Sequence, residues 1–199
     1  CLPYDVQKQR LRDADEVWAD AALGAAPGRR SAPDPVAVEA AAALILAATN
    51  PVFICGGAVV SADASGELEE LASLLDAAVC TTVSGKGALA DQHPLSAGVV
   101  GANGGVPATR AVVEAADLVI FVGCRAGSTT TENWRFPRRG IPIVHLDIDP
   151  MVIGANYPTA VALVGDVKLG LAALSRVVRD NQGDRNRGAG SGREAVAQA

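Results

Sequence analysis

The feature that most constrains the fold is an unbroken apolar run in the middle of the chain, Leu118 to Val122, which ends at Gly123. A strand with one solvated face would alternate apolar and polar residues, whereas an unbroken run is typical of a strand buried on both faces. A helix-like segment at Pro107–Ala116 precedes the run, and Cys124 and Arg125 follow the glycine. This order predicts a central strand of a parallel α/β sheet, with the loop after the strand facing a ligand crevice.

Strand-like segments recur along the chain and alternate with helix-like segments. The other predicted strands are Pro51–Cys55, Val79–Val83, Gly98–Val100, Ile141–Leu146 and Val161–Val164. The first helix, Val36–Ala48, follows a capping Asp34 and a proline at its first position, which is a common helix start. Regular alternation with right-handed crossovers predicts a six-stranded, doubly wound parallel sheet with helices on both faces, a Rossmann-like α/β fold. The expected strand order is 3-2-1-4-5-6.

Composition and charge exclude several functional classes. The formal charge of −5 and the absence of a lysine or arginine run argue against nucleic-acid binding. The longest apolar stretch, Ala40–Ala48, is too short to cross a membrane. The segment Cys1–Gln7 has no signal-peptide pattern, and the four cysteines show no CxxC spacing. We therefore expect a cytoplasmic protein with reduced, buried thiols and no zinc site.

The two ends differ in composition from the middle of the chain. Cys1–Gln7 reads as the end of a strand of a preceding domain, and Gly24–Pro33 is rich in Gly, Pro and Arg, which is typical of a linker. Residues 180–199 contain many Gly, Asn and Arg residues and predict a flexible tail. The expected organisation is a domain end and linker at 1–33, one domain at 34–179, and a tail at 180–199.

The loops after the predicted strands carry the candidate ligand-binding residues. Arg125 supplies a cation for a phosphate group, and Asp147 and Asp149 follow a strand at the place where dinucleotide folds bind a ribose hydroxyl. Glycines follow the first and fourth strands, where they allow backbone to approach a bulky ligand: Gly56, Gly57 and Gly123. No GxGxxG motif follows the first strand, which disfavours an ordinary nicotinamide site.

Motifs for catalysis are missing from this stretch of sequence. It contains no P-loop, no GxSxG elbow and no HExxH, and its two histidines, His93 and His145, have no triad spacing. His145 lies inside a predicted strand and is expected to be a hydrogen-bonded structural residue. We therefore predict no catalytic residue and no metal ligand in this segment.

Seven short motifs nevertheless occur in an order found in one known family. They are Pro51–Val60, Thr81–Gly87, His93–Leu95, Ala115–Leu118, Val122–Arg125, His145–Pro150 and Gly165–Asp166. Each motif is ordinary alone, but the series resembles the central domain of the thiamine-diphosphate-dependent enzymes of the acetolactate synthase and 2-oxoacid decarboxylase family. The resemblance covers about Pro33 to Arg179.

This resemblance implies an enzyme, a transferase or lyase, of which the chain is one part. Such subunits carry a pyrimidine-binding domain before the central domain and a diphosphate-binding domain after it, and they form homodimers or homotetramers. The flanking domains supply the glutamate that activates thiamine diphosphate and the Gly-Asp-Gly…Asn segment that holds magnesium. Both are absent here, so the segment alone is expected to be inactive and to bind neither thiamine diphosphate nor magnesium.

The resemblance also implies a nucleotide site in the central domain. In acetolactate synthases, segments that match 98–105, 123–125 and 145–166 hold FAD, which adds four candidate residues: Gly101, Asn103, Gly104 and Asp166. The family's Gly-Met-His-Gly stands here as Gly-Ala-Asn-Gly at 101–104, and its Phe-Asp-Asp-Arg is replaced at 126–129 by Ala-Gly-Ser-Thr. FAD, ADP, a CoA nucleotide or no ligand at all therefore remain open.

Two other readings of the sequence compete with the enzyme segment. One is a stand-alone module that binds an adenine nucleotide or FAD on the same type of sheet. The other is a purely structural domain that forms oligomers. Binding of an adenine nucleotide would favour the stand-alone binding module over the purely structural domain.

Overall fold

A six-stranded parallel sheet forms the centre of the molecule, for which a computed structural model describes residues 3–10, 24, 28–182 and 191–199. The strands are β1 Pro51–Cys55, β2 Ala78–Thr81, β3 Ser96–Val99, β4 Leu118–Val122, β5 Ile143–Asp147 and β6 Val161–Val164. Their order is β3-β2-β1-β4-β5-β6, and every neighbouring pair is parallel. The predicted fold class and strand order are confirmed.

Helices cover both faces of this sheet, except for the first helix, which is exposed. They are α1 Tyr4–Gln7, α2 Pro35–Ala47, α3 Gly57–Ser61, α4 Ser65–Leu75, α5 Pro107–Ala115, α6 Val167–Gln182 and α7 Ser191–Gln198. As predicted, Asp34 caps α2: its side chain accepts the N–H of Val36 at 2.8 Å, and Pro35 occupies the first turn. No helix within the described ranges combines the length and apolar character needed to cross a bilayer.

The sheet separates two apolar layers because successive strand residues point to opposite faces. On one face, Phe53 and Ile120 pack with the apolar residues of α2, α4 and α6. On the other face, Ile54 and Phe121 pack with α5 and with the irregular segment that follows β4. Every residue of β1, β4 and β5 is buried, which explains why these strands read as unbroken apolar runs.

Some predicted strand limits differ from those observed. The second strand ends at Thr81 rather than at residue 83, because Val83–Gly85 turns into a short 3-10 helix in which the Thr82 hydroxyl accepts the N–H of Gly85. The fifth strand begins at Ile143 rather than at residue 141. Pro142 lacks the N–H that a ladder position requires, so pairing starts after it.

Both ends also differ from the expectation. Tyr4–Gln7 forms a helix where the end of a strand was predicted; Pro3 precedes it and Asp5 lies in its first turn, a favourable place for an acidic residue. Residues 191–198 form α7 instead of a flexible tail, and its Gly192 N–H donates to the Asp76 carbonyl at 3.0 Å. The rest of the predicted tail, 183–190, lies outside the described residues.

Candidate functional site

A crevice of about 820 Å³ opens at the C-terminal edge of the sheet, above β1, β4 and β5. This volume lies within the range of small-molecule sites, roughly 300–1,000 Å³. The crevice occupies the switch point of the strand order, where the crossover after β1 and the crossover after β4 run in opposite directions. Six of the ten residues predicted for the ligand site line it: Gly56, Gly57, Gly123, Arg125, Asp147 and Asp149.

The floor of the crevice is formed where the chain leaves β1 and β4. The Gly56 N–H donates to the Val122 carbonyl at 2.8 Å, and a Cβ on Gly56 would lie 2.0 Å from the Gly123 carbonyl oxygen. Gly123 itself has a φ of +55°, where glycine is favoured. The two glycines therefore let the two chain segments touch, and the crevice begins directly above that contact.

The loop after β4 is held by hydrogen bonds on both sides of Arg125. His145 Nε2 donates to the Cys124 carbonyl at 2.8 Å, and Asn156 Nδ2 donates to the Arg125 carbonyl at 3.0 Å. Ala126 takes a φ of +48°, which turns the chain away from the strand. The backbone of Arg125 is thus fixed while its side chain is exposed beside the crevice.

His145 has a structural role in this loop, as the sequence predicts. Its ring is buried in β5, and burial lowers the pKa of the imidazole, partly opposed by the hydrogen bond to Cys124 and by the charge of Asp147. The imidazole is therefore uncharged at neutral pH. Because its partner is a carbonyl, Nε2 carries the hydrogen.

The carboxylates at the end of β5 each hold a tight turn. Asp147 accepts the N–H of Asp149 at 3.0 Å, and Asp149 accepts the N–H of Met151 at 2.9 Å. Within the described part of the chain, the second oxygen of each carboxylate has no hydrogen-bond partner. Ile148, between them, lines the crevice and is 53% exposed. This end of the crevice therefore combines free carboxylate oxygens with an apolar surface.

Hydroxyl groups also line the crevice, and the sequence reasoning did not select them. They belong to Ser61, Thr82, Ser84, Ser128, Thr129 and Thr130. Isolated Ser and Thr residues in turns carry no motif, and only their convergence in space distinguishes them. Hydroxyls donate hydrogen bonds to phosphate oxygens without adding charge.

The wall formed by residues 127–130 is supported by a partly buried ion pair. Arg110 of α5 donates to both oxygens of Glu132, at 2.9 and 2.6 Å, and the Glu132 side chain is 9% exposed. The Asn133 N–H also donates to the Ser128 carbonyl at 2.7 Å. No spacing in the sequence connects Arg110 with Glu132, so this support was not anticipated.

Three candidates that come from the resemblance lie beside the crevice rather than in it. The N–H of Ala102 donates to the Thr129 carbonyl at 2.8 Å, which places the turn at Gly101 behind the wall. Asn103 and Gly104 are exposed on the outer side of that turn. None of the three predicted residues of this turn lines the crevice.

Asp166, the fourth of these candidates, is engaged elsewhere. Its carboxylate accepts two hydrogen bonds from Arg30, at 2.9 and 2.8 Å, and one from the Leu169 N–H at 3.1 Å, which caps α6. Its own N–H donates to the Ser31 carbonyl at 2.8 Å. Asp166 therefore fastens the segment before α2 to the start of α6, and it does not line the crevice.

A cysteine thiol, that of Cys124, lines the crevice. Burial raises the pKa of the Cys124 thiol to about 11, so this thiol is protonated at neutral pH and is not a nucleophile. Cys55 and Cys80 are also buried and free. Among the described residues, no group of three His, Cys, Asp or Glu side chains is placed to hold a metal ion.

Residues 38–174 match the family model for the central domain of thiamine pyrophosphate enzymes. The chain belongs to this family. It is 40% identical, over 67% of its length, to a probable acetolactate synthase large subunit of Methanocaldococcus jannaschii. It is 30% identical, over 91% of its length, to glyoxylate carboligase of Escherichia coli O157:H7.

The fold of this thiamine pyrophosphate enzyme domain also occurs in a solved structure. Benzoylformate decarboxylase from Polynucleobacter necessarius superposes with a TM-score of 0.62, covering 88% of this chain and 32% of that one at 21% identity. The chain spans 22% of the length of the Methanocaldococcus relative and 30% of the carboligase. The resemblance seen in the sequence is therefore confirmed for the central domain.

Proposed function

We propose that this domain is the non-catalytic middle part of an acetolactate synthase-like carboligase or a 2-oxoacid decarboxylase, and that its crevice binds FAD or ADP. Thiamine diphosphate and magnesium would be held by flanking pyrimidine- and diphosphate-binding domains. The relatives named acetolactate synthase and glyoxylate carboligase support the carboligase assignment. The buried, free thiols favour a cytoplasmic enzyme, which we expect to be a homodimer or homotetramer.

The observation that carries the nucleotide proposal is the unequal distribution of groups along the crevice. The β1 and β4 side has glycines, hydroxyls and one cation, Arg125, whereas the β5 side has Asp147, Asp149 and the apolar Ile148. A nucleotide has the same polarity: an anionic phosphate group, a ribose with two hydroxyls, and a flat apolar base. The crevice therefore matches a nucleotide in one orientation.

The spacing of the strands supports the same orientation. Gly56 N–H bonds to β4 and Gly123 N–H bonds to β5, so the ends of the three strands lie side by side. Neighbouring strands are about 4.8 Å apart, which puts Asp147 roughly 10 Å from Gly56. In this arrangement the phosphates lie near Gly123 and Arg125, the ribose near the two carboxylates, and the adenine on Ile148.

A titration of ADP, FAD and adenosine against the wild type and Arg125→Ala tests this function. Arg125 is exposed, and a charge-assisted contact to phosphate contributes about 1.5–3 kcal/mol, so ADP and FAD should bind roughly ten- to a hundredfold more weakly to the variant. Adenosine, which has no phosphate, should be little affected. Arg138→Ala, which removes an exposed cation that does not line the crevice, is the matched control.

Three results would contradict the proposal. Equal losses for ADP and adenosine would show that Arg125 supports the loop and does not contact phosphate. An equal effect of the Arg138 variant would show a nonspecific charge effect. Absence of binding by ADP, FAD and adenosine to the wild type would favour a purely structural domain, in which the glycines serve only the contact between the segments after β1 and β4.

A further inference from the structure

We infer that the crevice selects nucleotides whose ribose hydroxyls are free, such as ADP or a flavin dinucleotide, and rejects nucleotides that carry a 2′- or 3′-phosphate, such as CoA or NADP. This inference rests on the proposed nucleotide site and narrows the class of ligand that the site accepts. Its basis is the charge and hydrogen-bonding capacity of the β5 side of the crevice.

The ribose end of the crevice carries two negative charges close together. Asp147 and Asp149 are joined by a hydrogen bond within one turn, and both line the crevice. Each uses one oxygen for the turn, and the other can accept a hydrogen bond from a ribose hydroxyl. A phosphate at that place would set its negatively charged acceptor oxygens against the carboxylate oxygens of the two aspartates. The two sets of like charges would repel each other and weaken binding.

No cation in the described lining stands at this end to neutralise a second phosphate. Arg125 is the one lysine or arginine among the described residues that line the crevice, and it follows β4 rather than β5. The nearest basic side chain in β5, His145, lies in the sheet with its Nε2–H directed to the Cys124 carbonyl. Burial lowers the pKa of His145, so it provides no positive charge at neutral pH.

Arg125 cannot serve both ends of one ligand. In the orientation proposed above, it contacts the 5′-phosphates beside Gly123, one strand spacing or about 5 Å from the carboxylates of β5. A ligand turned round to present its ribose phosphate to Arg125 would place the diphosphate against Asp147 and Asp149 instead. Either orientation of a ribose-phosphorylated ligand therefore leaves one phosphate without a cation.

The test compares ligands that differ only in the ribose phosphate: ADP, 2′-phospho-ADP and 3′-phospho-ADP. On the wild type, ADP should bind about tenfold or more tightly than either phosphorylated form, as expected for like charges at close range. Asp147→Asn and Asp149→Asn should each bind the phosphorylated forms more tightly than the wild type does, so that the preference decreases. Asparagine keeps the oxygen that holds the turn.

Asp180→Asn, which removes an exposed charge on α6 away from the crevice, should leave the preference unchanged. Added salt should reduce the preference in the wild type, because screening weakens repulsion between partly exposed charges. Thermal unfolding of each variant shows whether it is folded, and tighter binding of the phosphorylated forms cannot come from a general loss of structure.

The outcomes separate this inference from the proposed function. Equal affinity of the wild type for ADP and the phosphorylated forms would overturn the selectivity and leave the nucleotide site intact. A preference that neither asparagine variant changes would assign the selectivity to other groups and also overturn the inference. If ADP does not bind, the nucleotide site and the selectivity both fail.

Discussion

At the C-terminal end of β1, Gly56 has a φ of −97°, a value that any residue can adopt. Its requirement for glycine comes from its surroundings, since a Cβ would meet the Gly123 carbonyl oxygen at 2.0 Å. The oxygen belongs to the backbone and the backbone fixes the position of the Cβ, so neither atom can move without displacing β1 from β4. The same contact forms the floor of the crevice, so the stability of the fold and the geometry of the site both require a residue without a side chain at position 56.

We predict that Gly56→Ala lowers the free energy of unfolding by more than about 2 kcal/mol, because the added methyl overlaps fixed backbone. Gly66→Ala is the matched control: Gly66 lies in the first turn of α4, and a Cβ there would have no neighbour within 4 Å. That variant should be neutral or stabilised by up to about 1 kcal/mol. Urea unfolding of both variants measures the difference, and similar values for the two would contradict the argument.

Asp117, just before β4, ties two crossovers together at the other edge of the sheet. Its carboxylate accepts the N–H of Thr49 at 2.7 Å, the Thr49 hydroxyl at 2.6 Å and the N–H of Asn50 at 2.9 Å. Partial burial raises the pKa of Asp117, but the hydrogen bonds from Thr49 and Asn50 together lower it by more. The pKa is therefore below the ordinary value. The folded state therefore favours the ionised form.

Asp117→Asn should lower the free energy of unfolding by about 1 kcal/mol at pH 7, because it replaces charged acceptor oxygens by one amide oxygen. Because the pKa of Asp117 is lower in the folded state than in the unfolded state, its ionised carboxylate stabilises the fold above about pH 4. This stabilisation is lost as the pH falls through the folded-state pKa. The difference between wild type and variant should therefore shrink below pH 4. Urea unfolding across this pH range measures the difference in unfolding free energy, with the exposed Asp91→Asn as control. A difference that does not change with pH would show that the charge of Asp117 does not contribute to stability.

At the scale of elements, α7 shows how a short C-terminal segment becomes part of the domain. Its Gly192 is buried, and its N–H donates to the carbonyl of Asp76, the residue that ends α4. Arg193 forms an ion pair with the Asp76 carboxylate at 3.4 Å, and Val196 packs on the apolar layer that contains Ile54. The helix thereby covers part of the sheet face that α5 leaves open.

Gly192→Ala should release α7 from the sheet, because its Cβ would lie 2.2 Å from the Asp76 carbonyl oxygen. We expect amide hydrogen exchange in 193–198 to accelerate at least about tenfold, while exchange in β1 and β4 stays slow, since local opening need not involve the core. Ala197→Ser, at an exposed position of the same helix, controls for helix propensity. Unchanged protection in the Gly192 variant would show that α7 does not depend on this contact.

At the scale of the whole molecule, the chain corresponds to one part of its longer relatives. It spans 22% to 30% of the length of the acetolactate synthase and carboligase relatives, and its described residues contain no cluster suited to a metal ion. We propose that this domain supports catalysis carried out elsewhere in the protein.

We therefore predict that the isolated chain does not bind thiamine diphosphate in the presence of magnesium and has no thiamine-diphosphate-dependent turnover. Calorimetric titration measures the first, with ADP as a ligand that is expected to bind under the same conditions. Stoichiometric binding of thiamine diphosphate would contradict the assignment of this cofactor to flanking domains. Binding of ADP alone would agree with both parts of the proposed function.

The sequence by itself was sufficient to predict the sheet and its strand order. Burial on both faces demands unbroken apolar runs such as Leu118–Val122, and short helices between them demand parallel pairing; both are local properties of the chain. The capped start of α2 and the structural role of His145 were also predicted, because a cap and a strand position depend on near neighbours. The crevice followed from the strand order alone.

Only the tertiary structure decided which polar groups belong to that crevice. The family resemblance made Asp166 a candidate ligand-binding residue, but Arg30, 136 positions away, occupies its carboxylate. The hydroxyls of the crevice and the Arg110–Glu132 support carry no local motif. Backbone periodicity is set by adjacent residues, whereas the partner of a charged or hydroxyl side chain is set by distant segments that meet only after folding.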